Sequence, residues 1–350
     1  MKKPNPVLSA VVLAVFAGQS VANACVNTSY SHAHEKQITG DLVEIIMGRI
    51  PSHGQTFYEA ELVRTEGVLR EKPADYDARV DHAVALLKLK RYERAEAELL
   101  KIATDVPGRY KTHANLGVLY KKMGRFAEAA EHTREGLKIK PEGHLGLGDY
   151  YLKMLSWRYE NASTPGVAPT KNFLGLDYSK PELVATSPEV DDEYLRTMII
   201  ADRHFADAYL VLGDYQQSLG ETELAYRCYL AALRLPQETE ETPIAVIEQR
   251  IADIESVWEK KARKSRWKWS SSSARTKAKL QFAADEKWLE QFHRAEKRIV
   301  TLGRVSGTGQ TYLPPDFDQI QAEMSAPKAT YWELGPVKQP GFLKKLLNWF

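Results

Sequence analysis

Cysteine is almost absent from this 350-residue chain, which has only Cys25 and Cys228. Two thiols cannot build a disulfide framework or a zinc site made of thiolates. Long apolar runs are missing too. Val7 to Gly18 spans 12 residues, whereas a bilayer-crossing helix needs about 20. No charge of one sign dominates: the formal net charge is +2, so the overall balance gives no footprint for nucleic acid. The familiar catalytic signatures are also lacking. There is no Gly-x-Ser-x-Gly elbow and no dinucleotide glycine fingerprint after a strand. Ser306-Gly307-Thr308-Gly309 lacks the Gly-Lys-Ser/Thr of a phosphate-binding loop. The hydrophobic fraction of 43% and charged fraction of 27% are those of an ordinary soluble globular chain.

The N-terminus has its own pattern. Lys2 and Lys3 precede the apolar run, and Ala22-Asn23-Ala24 is a small-x-small cleavage site. Residues 1–24 therefore read as a secretory signal peptide, with an uncleaved anchor as the competing reading. Loss of Lys2 and Lys3 would bring the 48 basic residues level with the 46 acidic ones. Cleavage would leave Cys25 first, open either to a lipid anchor of the lipoprotein kind or to a disulfide with Cys228. Residues 25–39 form a polar arm. Within it His32 and His34 would project to one side of a strand, beside Glu35. That raises a metal-dependent enzyme as one reading and a solvated arm as another. Two ligands fall short of the three or four that zinc takes, so neither a metal site nor a cofactor is assigned.

The strongest signal is a repeat. Pro73, Pro107 and Pro141 are each 34 residues apart, as are Tyr58, Tyr92 and Phe126. A 34-residue period closed by proline indicates a helix–turn–helix solenoid. In the copy from Tyr110 to Pro141, Leu116, Leu119, Tyr120 and Met123 share one helical face. Gly124-Arg125 breaks the helix. A second helix follows from Phe126, with Ala129, Ala130, Thr133 and Leu137 on its inner side. Gly117 and Ala129 are small where the two helices cross at about 8–10 Å.

These residues resemble the tetratricopeptide repeat family. The Leu116-Gly117 pair, Tyr120, Ala129 and Pro141 sit where that family has its signature. The first unit keeps Ala95 and Pro107 but has Ala83 for glycine and Leu86 for the aromatic. A third unit starts near Ala206, with Leu212-Gly213, Gly220, Ala225, Tyr229 and Ala232. A degenerate unit with Tyr58 and Pro73 precedes them all. The expected fold is all-α: a tetratricopeptide-type helix-pair solenoid over residues 40–257, with an irregular insertion at 160–192 and a partly extended C-terminal tail.

Around the repeats the chain changes character. Pro165, Pro169, Pro181 and Pro188 rule out a long helix in the insertion, and Asn172 to Leu176 is apolar enough to pack. Thr242-Pro243 opens a helix whose stripe of Ile244, Ile247, Ile251, Ile254 and Trp258 suits the cap of an open solenoid end. Residues 258–282 are basic, with interleaved tryptophan and four serines. Lys260, Lys261, Arg263, Lys264, Arg266, Trp267, Lys268 and Trp269 suit an anionic membrane or envelope surface; the plainer reading is a solvated helix end and a flexible linker. A helix is expected over 283–302. Residues 303–350 form a proline-rich tail ending in an amphipathic segment, either a surface-lying membrane helix or a helix docked on the solenoid.

The resemblance implies a scaffold or adaptor that binds a protein or peptide on the concave face lined by the first helices. Spacing by three and four away from Leu116 and Tyr120 puts Lys111, Ala114, Asn115, Val118 and Lys122 on that face. The same phase gives Asp77, Val80, Val84 and Leu87 in the first unit, and Asp207, Leu210, Asp214 and Gln217 in the third. Some family members hold a peptide's terminal carboxylate with lysine and asparagine there. Lys111 and Asn115 match two such positions, but Val80 and Val84 do not, so the expected ligand is a mixed apolar and acidic segment. A membrane-associated structural role, with the repeats as a spacer, is the alternative.

Overall fold

The protein is described by a computed structural model, which covers residues 28, 29, 31, 41–235, 243–265, 267–305, 314–324 and 329–336. The expected signal peptide, Cys25, His32, His34, Glu35, Arg266 and the terminal amphipathic segment lie outside these residues. Among the described residues there are fourteen α-helices, and the only β pairing is one isolated bridge between Lys171 and Asp177. Helices α1 (Leu42–Met47) and α2 (Gln55–Glu71) precede the repeats. The first unit is α3 (Tyr76–Lys88) with α4 (Tyr92–Asp105), and the second is α5 (Tyr110–Lys122) with α6 (Phe126–Ile139). Next come α7 (Gly148–Ser163), the short α8 (Leu183–Thr186) and α9 (Asp192–Ala201). The third unit is α10 (Ala206–Ser218) with α11 (Thr222–Arg234). It is followed by α12 (Ile244–Ser265), α13 (Ser271–Val305) and α14 (Phe317–Ala322). Consecutive helices pack on one another, which makes the fold an all-α helix-pair solenoid.

The repeat chemistry explains the pairing. A Cβ on Gly117 would lie 2.7 Å from Thr133 Oγ1 and 3.3 Å from the Ala129 carbonyl. A Cβ on Gly213, the matching position of the third unit, would lie 2.4 Å from the Tyr229 ring. Only hydrogen fits where the axes cross so closely. The turn between the paired helices needs a left-handed residue. Gly124 supplies it in the second unit at φ 75° and Gly220 in the third at φ 82°. Lys90 takes the same place in the first unit at φ 59°, where an L side chain is strained.

The array does not stay open. α1 packs on α9 and α11, so the start of the chain meets the third unit. The Arg203 guanidinium donates to the Pro51 carbonyl at 3.1 Å across this closure. α13 then straps the closed array from outside. Near its start it packs on α11, and Arg275 pairs with Glu255 of α12 at 2.7 Å; further along it packs on α2. There His53 meets Glu296 at 2.6 Å, and Arg49 meets Asp285 at 3.2 Å.

Closure has a direct consequence for burial. α3, α5 and α10 are buried on nearly every side, while α4 buries only Ala95, Leu99 and Ile102. A helix apolar or buried all round belongs to a core, and one with a single stripe belongs to a surface. The concave face of this solenoid is therefore largely interior, where an open groove was expected. Burial of each Leu- or Val-sized side chain there stabilises the fold by about 1.5–3 kcal/mol.

The insertion is part of that filling. The Phe173 amide and the Tyr178 hydroxyl both donate to the Asp207 carboxylate, at 2.7 and 2.6 Å. Phe173, Leu174 and Tyr178 are buried against the third unit. The C-terminal segment is also docked. α14 buries Phe317 and Ile320 against Trp288 and Phe292 of α13. Residues 329–336 run extended beneath α11 to α13, with Leu334 buried and its carbonyl accepting from Trp269 Nε1 at 2.8 Å. In the basic segment, residues 258–265 are the largely exposed end of α12, residues 267–270 are irregular, and residues 271–282 are the first part of α13, which also contains residues 283–302.

Candidate binding site

One part of the third unit's concave face remains open. A pocket of about 540 Å³ lies between α10, α12 and the α8 segment. α10 presents Asp214, Gln217 and Ser218, spaced i, i+3, i+4 so that they share a face. α12 presents Arg250, Ile254, Val257 and Lys261 by the same rule, with Trp258 beside them. Pro181, Glu182 and Ala185 close the third side. α12 turns this stripe inward because Ile247, Ile251 and Ile254 are buried against the repeats.

The floor is an ion pair. Arg250 Nε donates to Asp214 Oδ1 at 2.9 Å, and the Tyr229 hydroxyl donates to the same oxygen at 2.8 Å. The other arm of Arg250 reaches the Tyr178 carbonyl at 2.6 Å, tying the insertion to the site. Burial raises the Asp214 carboxyl above its ordinary value, against the opposing pull of Arg250. Burial and the neighbouring Asp214 push the Tyr229 phenol up, so it stays a donor. The rim is apolar: Val257 is 60% exposed although it is a valine on a packed helix. Such a concave site, apolar with a few fixed polar groups, suits a side chain of mixed character.

The structure places the expected concave residues in three groups. Val80, Val84, Val118 and Leu210 are core residues, and Asn115 is buried with them. Ala114, Leu87 and Asp207 are also buried. Closure of the array covers the stripe that their spacing defines. Asp77, Lys111 and Lys122 remain at the surface, and Lys111 Nζ pairs with Asp77 at 2.8 Å, bridging the first two units. Only Asp214 and Gln217 line the pocket.

Lys121, one position off the expected stripe, is buried inside the closed array and bonded to Asp202 at 2.7 Å. Burial pushes the Lys121 ammonium down to about 8, against the pull of Asp202. Burial works against the Asp202 carboxylate too, but Lys121, Lys122 and Arg158 outweigh it and hold its pKa low. Sequence spacing gives no sign of this pair, because its partners are 81 residues apart. Arg250 and Val257 were likewise hidden behind the apolar stripe of α12.

The basic residues gather at the tip of the α12–α13 hairpin. Lys260, Lys261, Arg263, Lys264 and Lys268 are exposed there. Arg263 pairs with Glu259 at 2.6 Å, and Lys261 Nζ lies 5.6 Å from the centre of the Trp267 ring. Trp269 turns inward instead, edge-on to Trp258 at 5.7 Å.

Cys228 is a free, fully buried thiol whose pKa burial raises. Among the described residues no helix is long and apolar enough to cross a membrane, and no three His, Cys, Asp or Glu side chains converge as a metal cluster.

No curated protein matches the chain. Residues 110–143 and residues 206–239 each match a model of the tetratricopeptide repeat. These matches cover α5–α6 and α10–α11, the two pairs with a glycine at the crossing and a glycine in the turn. Those two helix pairs are similar to tetratricopeptide repeats, and they are part of an all-α helix-pair solenoid.

Proposed function

We propose that the protein is an exported interaction scaffold that takes a short segment of a partner protein into the pocket between α8, α10 and α12. Tetratricopeptide repeats suggest a protein-binding role. The observation that carries the site is Val257, exposed on the rim above the buried Asp214–Arg250 pair. An apolar side chain would cover Val257 and Ile254, and a polar group beside it would meet Gln217, Ser218 or Arg250. No enzymatic role is assigned. A photoreactive benzoyl-phenylalanine at Val257 tests this in cells. It should capture a discrete partner, while the same group at Leu100, exposed on α4, should not. Equal capture at both positions, or none at Val257, would remove the pocket from the account.

Export rests on residues 1–24 and predicts a mature chain beginning at Cys25; the intact mass of the isolated protein decides it. A second contact is favoured by the hairpin tip. Lys260, Lys261, Lys264 and Lys268 form an exposed basic group around the half-buried Trp267, which suits an anionic lipid surface. Co-sedimentation with phosphatidylglycerol vesicles should fall as salt rises and fall again when the four lysines become glutamine. Absence of binding at low salt would leave the pocket as the sole proposed contact.

A further inference from the structure

Residues 329–336 run to the edge of the pocket. The Leu334 and Gly335 amides donate to the two Glu223 carboxylate oxygens, at 3.1 and 3.5 Å. Glu223 follows Thr222, which lines the pocket. Gly335 also lies against Trp258, whose Cζ2 is 3.5 Å from where a Cβ on that glycine would stand. Trp258 is itself a wall of the pocket. Residues 337–350 follow Pro336 in the sequence, so they set out from this wall. Phe342 is six residues past Pro336, a reach of up to about 20 Å.

The chemistry of segment and pocket matches. Residues 337–350 contain three lysines, Lys338, Lys344 and Lys345, and no acidic residue; Phe342, Leu343, Leu346 and Leu347 surround the last two lysines. The pocket offers Ile254, Val257 and Trp258 as apolar wall. Its Asp214 and Arg250 offset each other. Glu182 and Asp253 are exposed at its mouth, and among the described residues neither is in an ion pair. Lys261 is eight residues along α12 from Asp253, about 12 Å away at 1.5 Å per residue, and its ammonium faces the Trp267 ring. The end of the pocket beside Asp253 is thus apolar and acidic at once.

We propose that residues 341–350 occupy this pocket in the resting protein and that a partner segment binds by displacing them. The apolar side chains cover Ile254 and Val257, and Lys344 and Lys345 meet Glu182 and Asp253. This rests on the pocket being the binding site proposed above. A short tether holds such a segment at an effective concentration of about a millimolar. A contact too weak to form between molecules is then populated within one, and the partner's apparent affinity falls by the fraction of pockets left open. The contact opens and closes without unfolding the core, so Val257 stays far more reachable than the core positions.

The test is the rate at which a maleimide labels Val257→Cys in the full chain, in a Cys25→Ser background. Phe342→Asp with Leu346→Asp should speed labelling at least threefold, and so should Lys344→Glu with Lys345→Glu. Adding Glu182→Lys and Asp253→Lys to the second variant should slow it again. Leu100→Cys, exposed on α4, should label at the same rate with every tail sequence. An unchanged Val257→Cys rate in both tail variants would overturn the inference. Benzoyl-phenylalanine at Val257 in the otherwise wild-type purified chain gives a second readout. It should cross-link to residues 341–350 of its own chain, read by peptide mass, in a yield independent of protein concentration. Cross-linked dimers in place of that product would make a second copy the occupant, and no product would leave the pocket open; either result overturns the inference. Capture of a partner at Val257 in cells decides the pocket by itself, whichever way the tail experiments fall.

Discussion

Lys121 on α5 and Asp202 after α9 meet at 2.7 Å inside the closed array, with side chains only 5% and 6% exposed. The contact joins the second repeat to the entrance of the third across the concave side. A buried pair of this kind adds little over well-packed apolar groups, but breaking it strands a charge. Lys121→Met should therefore destabilise the protein by about 3–5 kcal/mol. Lys121→Met with Asp202→Leu should recover most of that loss. Chemical denaturation of the two variants decides it, and a single variant as stable as the wild type would mean that the interior is wet.

Lys90 adopts φ 59° at the turn where the later units use glycine. Lys90→Gly should relieve the left-handed strain and raise stability by up to about 1 kcal/mol, less the backbone entropy that glycine loses on folding. A higher thermal midpoint is the expected result.

At the crossing of α10 and α11 the opposite change should hurt. Gly213→Ala puts a methyl group 2.4 Å from the Tyr229 ring, whose hydroxyl is fixed on Asp214. Overpacking of this kind costs about 1–3 kcal/mol. The midpoint should drop, and the pocket floor should shift with it, visible as altered Trp258 fluorescence.

His144 gives the fold a pH dependence. Burial first, and then the nearby Lys121, lower its imidazole from 6.5 to about 4. Between those values the unfolded chain binds the proton and the folded chain does not, so stability is lost as pH falls from about 6.5 towards 4. The loss is on the order of 2–3 kcal/mol. His144→Asn suits the φ of 56° at this position and should flatten that part of the profile, whatever its effect at neutral pH. An unchanged slope would place the titration elsewhere.

Much of the fold was legible from the chain because helix pairing is local. Each closing proline, Gly117 with Ala129, and Gly124 act within their own 34-residue unit and on their own neighbours. The site was far less legible. Asp77, Lys111 and Asn115 were assigned to one face by spacing alone, and spacing does not say whether a face meets water. That depends on α1 meeting α9 and α11, and on Phe173 and Tyr178 reaching Asp207. These contacts join parts of the chain that no period relates. Trp269 shows the same limit: its basic neighbours suggested a surface, but its indole is spent on the Leu334 carbonyl.

The claim that closure buries the concave face is tested most directly by thiol accessibility. Cysteines placed singly at Val84, Val118, Leu210 and Val257, in a Cys25→Ser background, would be labelled with a maleimide under native conditions. The account predicts that Val84→Cys, Val118→Cys and Leu210→Cys react as slowly as the buried native Cys228, while Val257→Cys reacts fast. Rapid labelling at Val84, Val118 and Leu210 would mean an open groove and would contradict it.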